Sequence, residues 1–543
     1  MLLLLQNWLR CAMPFIACGF SAAEERLASQ VDQLIEAKAL AAQSPLAGPV
    51  DDAGFLRRAS LDFAGTIPAA AEVRAFIADT DPDKRAKLLQ KLISAPEFAE
   101  RMADVFNIQL MERRGDDGNW KRYLTESFAA SKPWDQMVRE ILSPDFKEAK
   151  LRGAGYFITR RLEKEGQQET DYPGLTRDAG RFFTGVDLQC CQCHKHLTVK
   201  DYKQADFNGL FVAFQNVRLN EPSGDYKTRW VSEGLMQKKF AFTSVLNGVK
   251  GETGPRVPLG AEVDIPADAQ WLTPPPNKDG SGIPKFSPLR ELSAKLTSPD
   301  NPLFARNIAN RIWWQLMGRG LVEPLDLHHS GNPPSHPELL DLLAKELTAH
   351  RFDLRWLIGE LALTKTWQRS SVLPGDAKDP PHETFSVSIE RPLSAAQLTR
   401  AFLTATGEYD RVVSGTGWDG IEGKRYKSAD FEKAFSAAFA GAPKEPELTV
   451  NPTLKAALFL RNNELVLWCL QKRRGNLMDR VAALTDSAQV ADELYPAILS
   501  RPPAEEEKSA LGAYLTKHTE QRERTLGHYV WAMLSSIEFF TNH

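Results

Sequence analysis

The chain has 543 residues, enough for roughly two to four domains of ordinary size. Hydrophobic residues make up 43% and charged residues 25%, which excludes a disordered, collagen-like or coiled-coil chain. With 67 basic and 70 acidic residues the net charge is −3, so no global field draws it to nucleic acid, and six cysteines are too few for a disulfide scaffold.

The first 23 residues read as a secretory signal peptide. Arg10 supplies a positive charge, Cys11 to Phe20 is short and apolar, and Ser21 and Ala23 are small residues before Glu24. Ile16-Ala17-Cys18 is a partial lipobox, so a lipoprotein is the variant form of this expectation. No later stretch reaches 18 unbroken apolar residues, so no membrane span is expected. An exported protein, periplasmic or extracytoplasmic, is the expected product.

Residues 24–218 form the first expected domain. Leu27, Val31, Leu34 and Ile35 repeat at helical spacing, as do Leu88, Leu89, Leu92 and Ile93. Residues 151–175 are polar, contain Gly153, Gly155 and Pro173, and read as a loop. Phe207–Phe214 reads as a helix. Residues 219–286 place Val231, Phe240, Phe242, Val245 and Val249 among turn residues and prolines, which suggests a small β-rich insert and linker.

Residues 287–543 return to helical patterning and form the second domain. Asn301-Pro302 opens a helix whose stripe is Phe304, Ile308, Ile312, Trp313 and Leu316. Ser335-His336-Pro337-Glu338 and Ser394-Ala395-Ala396-Gln397 read as capping boxes. The expected fold is therefore mainly α: a multi-helix two-domain protein with a small β-rich, proline-containing insert.

One cluster carries chemistry. Residues 188–196 read Leu-Gln-Cys-Cys-Gln-Cys-His-Lys-His, and Cys190 to His194 is a C-x-x-C-H string, the attachment signature of c-type haem. Two thiols at this spacing reach both vinyl groups of one porphyrin, and the next residue brings an imidazole under the iron. Shuffling would produce the string on the order of once in a thousand chains, so coincidence is a weak rival. Three alternatives stay open. Cys190, Cys193, His194 and His196 suit zinc or copper, with a distant residue completing the set. Cys190 and Cys193 suit a redox disulfide. The cluster also suits a structural staple with no cofactor. The sixth ligand of a haem iron is not specified by pattern; His328, His329, His382 and several methionines are available. Asp326-Leu327-His328-His329 reads first as a polar loop, and Arg306, Asn307, Asn310 and Arg311 read first as hydrogen-bonded anchors. Glu538 and His543 read as structural. No G-x-S-x-G, H-E-x-x-H or Walker A string occurs, so no catalytic residue is assigned.

Several segments resemble a large family of exported bacterial proteins. They are Phe55-Leu56-Arg57-Arg58-Ala59-Ser60-Leu61-Asp62, Ser94-Ala95-Pro96-Glu97-Phe98, Gly185 through His196, Asn310-Arg311-Ile312-Trp313, Pro333 through Leu340 and Arg391-Pro392-Leu393-Ser394. The family pairs two domains of unknown function, numbered fifteen-forty-nine and fifteen-fifty-three, and its members often carry a planctomycete-type cytochrome c domain. The likeness covers roughly residues 31–215 and 287–543. It implies that the C-x-x-C-H string belongs to a family pattern, with Cys190, Cys193, His194 and His196 as the site. Lys195 and Leu197 depart from that pattern, and Lys195 changes the charge beside any haem edge or metal.

The resulting expectation is a c-type haem protein for extracytoplasmic electron transfer or redox chemistry. Cys190, Cys193 and His194 would hold the haem, with a redox partner beyond it. The alternative is a non-enzymatic binding or assembly protein, handling an extracellular polymer such as a polysaccharide. A zinc ion, another structural metal or a disulfide would then sit at the same cluster.

Overall fold

Large aromatic side chains at helical spacing organise the interior, and the computed structural model describes residues 26–276, 280–373, 380–418, 421, 423–445 and 453–543. The expected leader, with Cys11 and Cys18, lies outside the described residues. Helices carry most of the rest, and the strands form small two-stranded pairs, so the chain is mainly α. Among the described residues no helix is long and apolar enough to cross a membrane.

The apolar residues separate into two cores. The first runs from Leu27 to Phe385. The helix Leu27–Ala41 buries Leu27, Val31 and Ile35 of the expected stripe, leaves Leu34 half-buried and adds Ala39. Phe106 lies against Phe128 and Trp134 at ring distances of 4.9 and 5.0 Å. Full burial of such side chains contributes roughly 1.5–3 kcal/mol each. The helix Pro302–Met317 opens as its sequence predicts, with the Asn301 side chain accepting from Leu303 N and Pro302 in the first turn. Its buried face holds Phe304, Ile308, Ile312, Trp313 and Leu316.

The second core gathers residues 393–539 and takes Leu61 and Ile67 from the N-terminal part. Its helix Ala395–Thr406 starts with the expected box, in which Ser394 Oγ accepts from Gln397 N. The strand Arg391–Pro392 pairs with Thr541–Asn542. Arg57 donates to the carbonyls of Glu538 and Phe539, both at 3.0 Å, and Asn542 donates to Asp62 at 2.9 Å. The Arg57–Asp62 segment therefore clamps the end of the chain. Glu538 and His543 are structural, as expected: Glu538 pairs with Arg501, and the His543 carbonyl accepts from Arg58.

Two expectations need correction. Residues 151–175 are not one loop, because Arg152–Gly155 forms a 3-10 turn and Tyr156–Leu162 an α-helix. The polar composition misleads there because Arg161 is buried against Asp178, while Phe157, Ile158 and Leu162 join the core. Ser335 does not cap its helix either. The helix starts at Pro337 after His336, and Ser335 Oγ turns to His336 Nδ1 at 3.1 Å.

The insert is β-rich. Its antiparallel pairs are Val217–Asn220 with Trp230–Glu233, Phe240–Thr243 with Lys250–Thr253, and Trp271–Thr273 with Ile283–Pro284. It packs on the helix Gln204–Gln215, where Phe211 meets Phe240 at 5.4 Å. Gly209 permits this approach: its carbonyl accepts from Arg256 N at 3.0 Å, and a Cβ there would stand 2.4 Å from Arg256 Cβ. The insert is thereby held beside the cysteine segment.

Candidate functional site

The helix Tyr172–Thr184 stops at Gly185, whose φ of +68° is left-handed and suits glycine. The chain then runs extended, burying Val186 and Leu188. Asp187 Oδ1 accepts from Gln189 N at 2.9 Å and starts a single 3-10 turn, Cys190–Gln192. This turn sorts the three cysteines. Cys191 points into the first core with no exposed surface, and burial pushes its thiol up to about 12. Cys190 and Cys193 are exposed and form no disulfide among the described residues.

The two histidines are held in opposite ways. His194 Nδ1 lies 2.7 Å from the Lys195 carbonyl, which only accepts, so Nδ1 carries the proton and a neutral ring keeps its lone pair on Nε2. His196 Nδ1 instead accepts from Val199 N at 2.9 Å and Thr198 N at 3.3 Å, which leaves Nε2 as a donor. Among the described residues, no three His, Cys, Asp or Glu side chains converge in a metal-holding group.

The second half of the chain supports this turn from behind. Asp187 N donates to the Asp326 carbonyl at 2.9 Å, and His328 N donates to the Gly185 carbonyl at 3.0 Å. Tyr202 donates to the His328 carbonyl at 3.0 Å, and its ring lies between those of His196 and His329 at 5.8 and 5.6 Å. Asp201 accepts from Ser330 N and Oγ. The Asp326–His329 loop is thus a scaffold for the cysteine segment. His328 is buried, which lowers its pKa to about 3, with Arg311 and Arg306 adding to the effect, and its Nε2 has no hydrogen-bond partner among the described residues. His329 Nδ1 accepts from Gly331 N. His382 lies in the 3-10 turn His382–Thr384, which packs against the helix Leu27–Ala41.

A buried ion network underlies the scaffold. Asp178 holds Arg161, Arg114 and Arg181 at 2.8, 3.0 and 3.1 Å, and Glu112 holds Arg114 and Arg181 at 2.6 and 2.7 Å. Arg181 reaches Asp326 at 3.5 Å, and Asp326 pairs with Arg311. Asn307 donates to the Phe182 carbonyl at 2.8 Å, and Asn310 brackets Val322. Arg306 pairs with Asp341. These groups on the helix Pro302–Met317 are anchors, as the sequence reading expected.

Four contributors carried no signal in the sequence. Arg177 donates to Gln192 Oε1 at 2.8 Å, and helical spacing alone did not distinguish it. Glu112 and Asp178 lie 66 positions apart and reveal their shared role only in space. The hairpin tip reaches the cluster through one backbone bond, from Val245 N to the Cys193 carbonyl at 3.0 Å.

The sorting of the thiols makes a prediction for the chain without cofactor. Native alkylation should modify Cys190 and Cys193 and spare Cys191 and Cys469, both buried. Peptide mapping after brief labelling checks this. Equal labelling of Cys191 and Cys190 would contradict the placement.

Residues 30–219 match the family model PSCyt2, described as a protein of unknown function (DUF1549). Residues 290–515 match PSD1, a protein of unknown function (DUF1553). No curated protein and no solved structure matches the chain. The cysteine turn lies in the first matched segment and its supporting loop in the second. With the two models matched in that order over most of its length, the chain belongs to the family that pairs these two domains.

Proposed function

We propose that the turn Cys190–His194 attaches a c-type haem, and that the protein serves extracytoplasmic electron transfer or redox chemistry after export. The observation that carries this reading is the division of labour in the turn. Cys190 and Cys193 face outward and unpaired while Cys191 is consumed by the core. His194 is fixed through Nδ1 with Nε2 left to bind. An imidazole ligand is normally oriented in this way, by donating its other ring N–H to a carbonyl or carboxylate.

The donor set fits the group. Each thiol would add its S–H across a vinyl double bond, so the C–S bond forms without net oxidation. A zinc reading gains less support, because among the described residues no three His, Cys, Asp or Glu side chains, Cys190, Cys193 and His194 included, stand together as a metal-holding group. Bound there, the haem would supply a one-electron couple. His196, held by the Val199 and Thr198 amides, presents Nε2–H as an orienting donor. Lys195 fixes His194 through its carbonyl, and its ammonium favours the less positive, reduced state of a neighbouring centre. The exposed Leu197, Val245 and Leu246 supply apolar surface next to the turn.

The mature chain, produced in a host with c-type haem maturation, tests the proposal by its visible spectrum after denaturation. A Soret band should stay with the polypeptide and disappear in Cys190→Ala/Cys193→Ala. His194→Ala should keep covalent colour and shift the spectrum. A colourless protein, whether zinc-loaded or metal-free, would overturn the reading.

A further inference from the structure

The charges around the cysteine turn are arranged unequally. Residues 186–206 contain three aspartates and three lysines. Every aspartate is tied to backbone amides: Asp187 to Gln189, Asp201 to Ser330, and Asp206 to Lys203 and Leu259 at 3.0 and 3.1 Å. Lys195, Lys200 and Lys203 are exposed, and none has an ion-pair partner among the described residues. The hairpin adds Lys250, also exposed, at the tip end of its strands. The one acid of those strands, Glu252, sits toward the far end, opposite Ala241.

The same tip exposes aliphatic side chains. Val245, Leu246 and Val249 are 71%, 60% and 61% exposed, and Leu197 beside His196 is 71% exposed. Val245 N on the Cys193 carbonyl locks the tip to the turn. An exposed apolar group rimmed by like charges marks an interaction surface. The rest of the molecule gives no reason for a basic face, since the net charge is −3.

We infer that this face, Leu197, Val245, Leu246 and Val249 rimmed by Lys195, Lys200, Lys203 and Lys250, docks a partner protein with an acidic surface. Charge complementarity selects the partner's sign and speeds encounter, and the aliphatic centre supplies dry contact. Aliphatic side chains without arginine or aromatic groups suit a protein better than a nucleic acid, which is read by arginine and stacking. That the partner is a redox protein rests on the haem reading; the charge and shape of the face do not.

Poly-L-glutamate serves as the probe, with the full chain as purified. The protein should bind at about 10 mM salt and be released near 0.1–0.2 M, where screening is short-ranged. Lys200→Glu/Lys203→Glu/Lys250→Glu should weaken binding roughly tenfold, three exposed charges acting together. Lys91→Glu/Lys345→Glu/Lys455→Glu, equal in charge but elsewhere, should weaken it much less. Equal weakening by both triples would overturn the inference, as would preference for phosphatidylserine vesicles or duplex DNA over the probe. The first triple should keep covalent colour, and Cys190→Ala/Cys193→Ala should keep binding. Loss of colour therefore reports on the haem reading and loss of binding on the face.

Discussion

Replacing Asp178 by alanine is expected to destabilise the first core by about 3–5 kcal/mol, the scale for breaking a buried ion pair from one side. Asp178 accepts from Arg161 at 2.8 Å, and Arg161 is almost fully buried, with its guanidinium 3.9 Å from the Phe157 ring centre. Without the carboxylate, Arg161, Arg114 and Arg181 are left close together around Glu112. Burial alone would raise the Asp178 pKa, but Arg161, Arg114 and Arg181 outweigh it and hold the carboxyl below its ordinary value. Its contribution is therefore whole above about pH 4, where an unfolded aspartate is ionised, and is lost as pH falls through the lower folded value. The variant and the parent should converge in acid. Cys191 gives a local readout: its native-state alkylation should rise by roughly two to four orders of magnitude while Cys469 stays protected. An unchanged Cys191 rate would contradict this account of the network.

The same substitution at Glu408 should act on the other core. Glu408 is fully buried and accepts from Arg411 at 2.7 Å, Arg473 at 3.0 Å and Asn476 at 2.8 Å. Glu408→Ala strands two arginines in the interior, again about 3–5 kcal/mol. Cys469 is the matching reporter, since burial raises its thiol well above the ordinary range and Glu408 adds to the effect. Its labelling should rise while Cys191 stays protected. Simultaneous exposure of both thiols in both variants would show that the two cores open as one unit.

The helices were legible where apolar residues recur on one face, as in Leu27–Ala41 and Pro302–Met317. Caps were legible where the side chain reaches its own amides, as at Asn301 and Ser394. Ser335 carried the same pattern and failed because His336 offered its hydroxyl a competing partner. The helix Tyr156–Leu162 was hidden by Arg161, whose counter-charge Asp178 comes from another helix, while Arg160 pairs locally with Glu163 at the helix end. The spacing of Cys190, Cys193 and His194 was visible at once, but their orientation was not. Which cysteine turns inward depends on the core around Cys191. The lysine-rimmed face depends on a hairpin roughly fifty positions downstream meeting Cys193 through one amide.

The central claim concerns covalent attachment, and the tryptic peptide 182–195 reads it directly. This peptide carries Cys190, Cys191, Cys193 and His194. After c-type maturation and alkylation under denaturing conditions, its mass should show one haem and one alkyl group, the latter on Cys191. Three alkylated cysteines, or a Cys190–Cys193 disulfide without haem, would contradict the account.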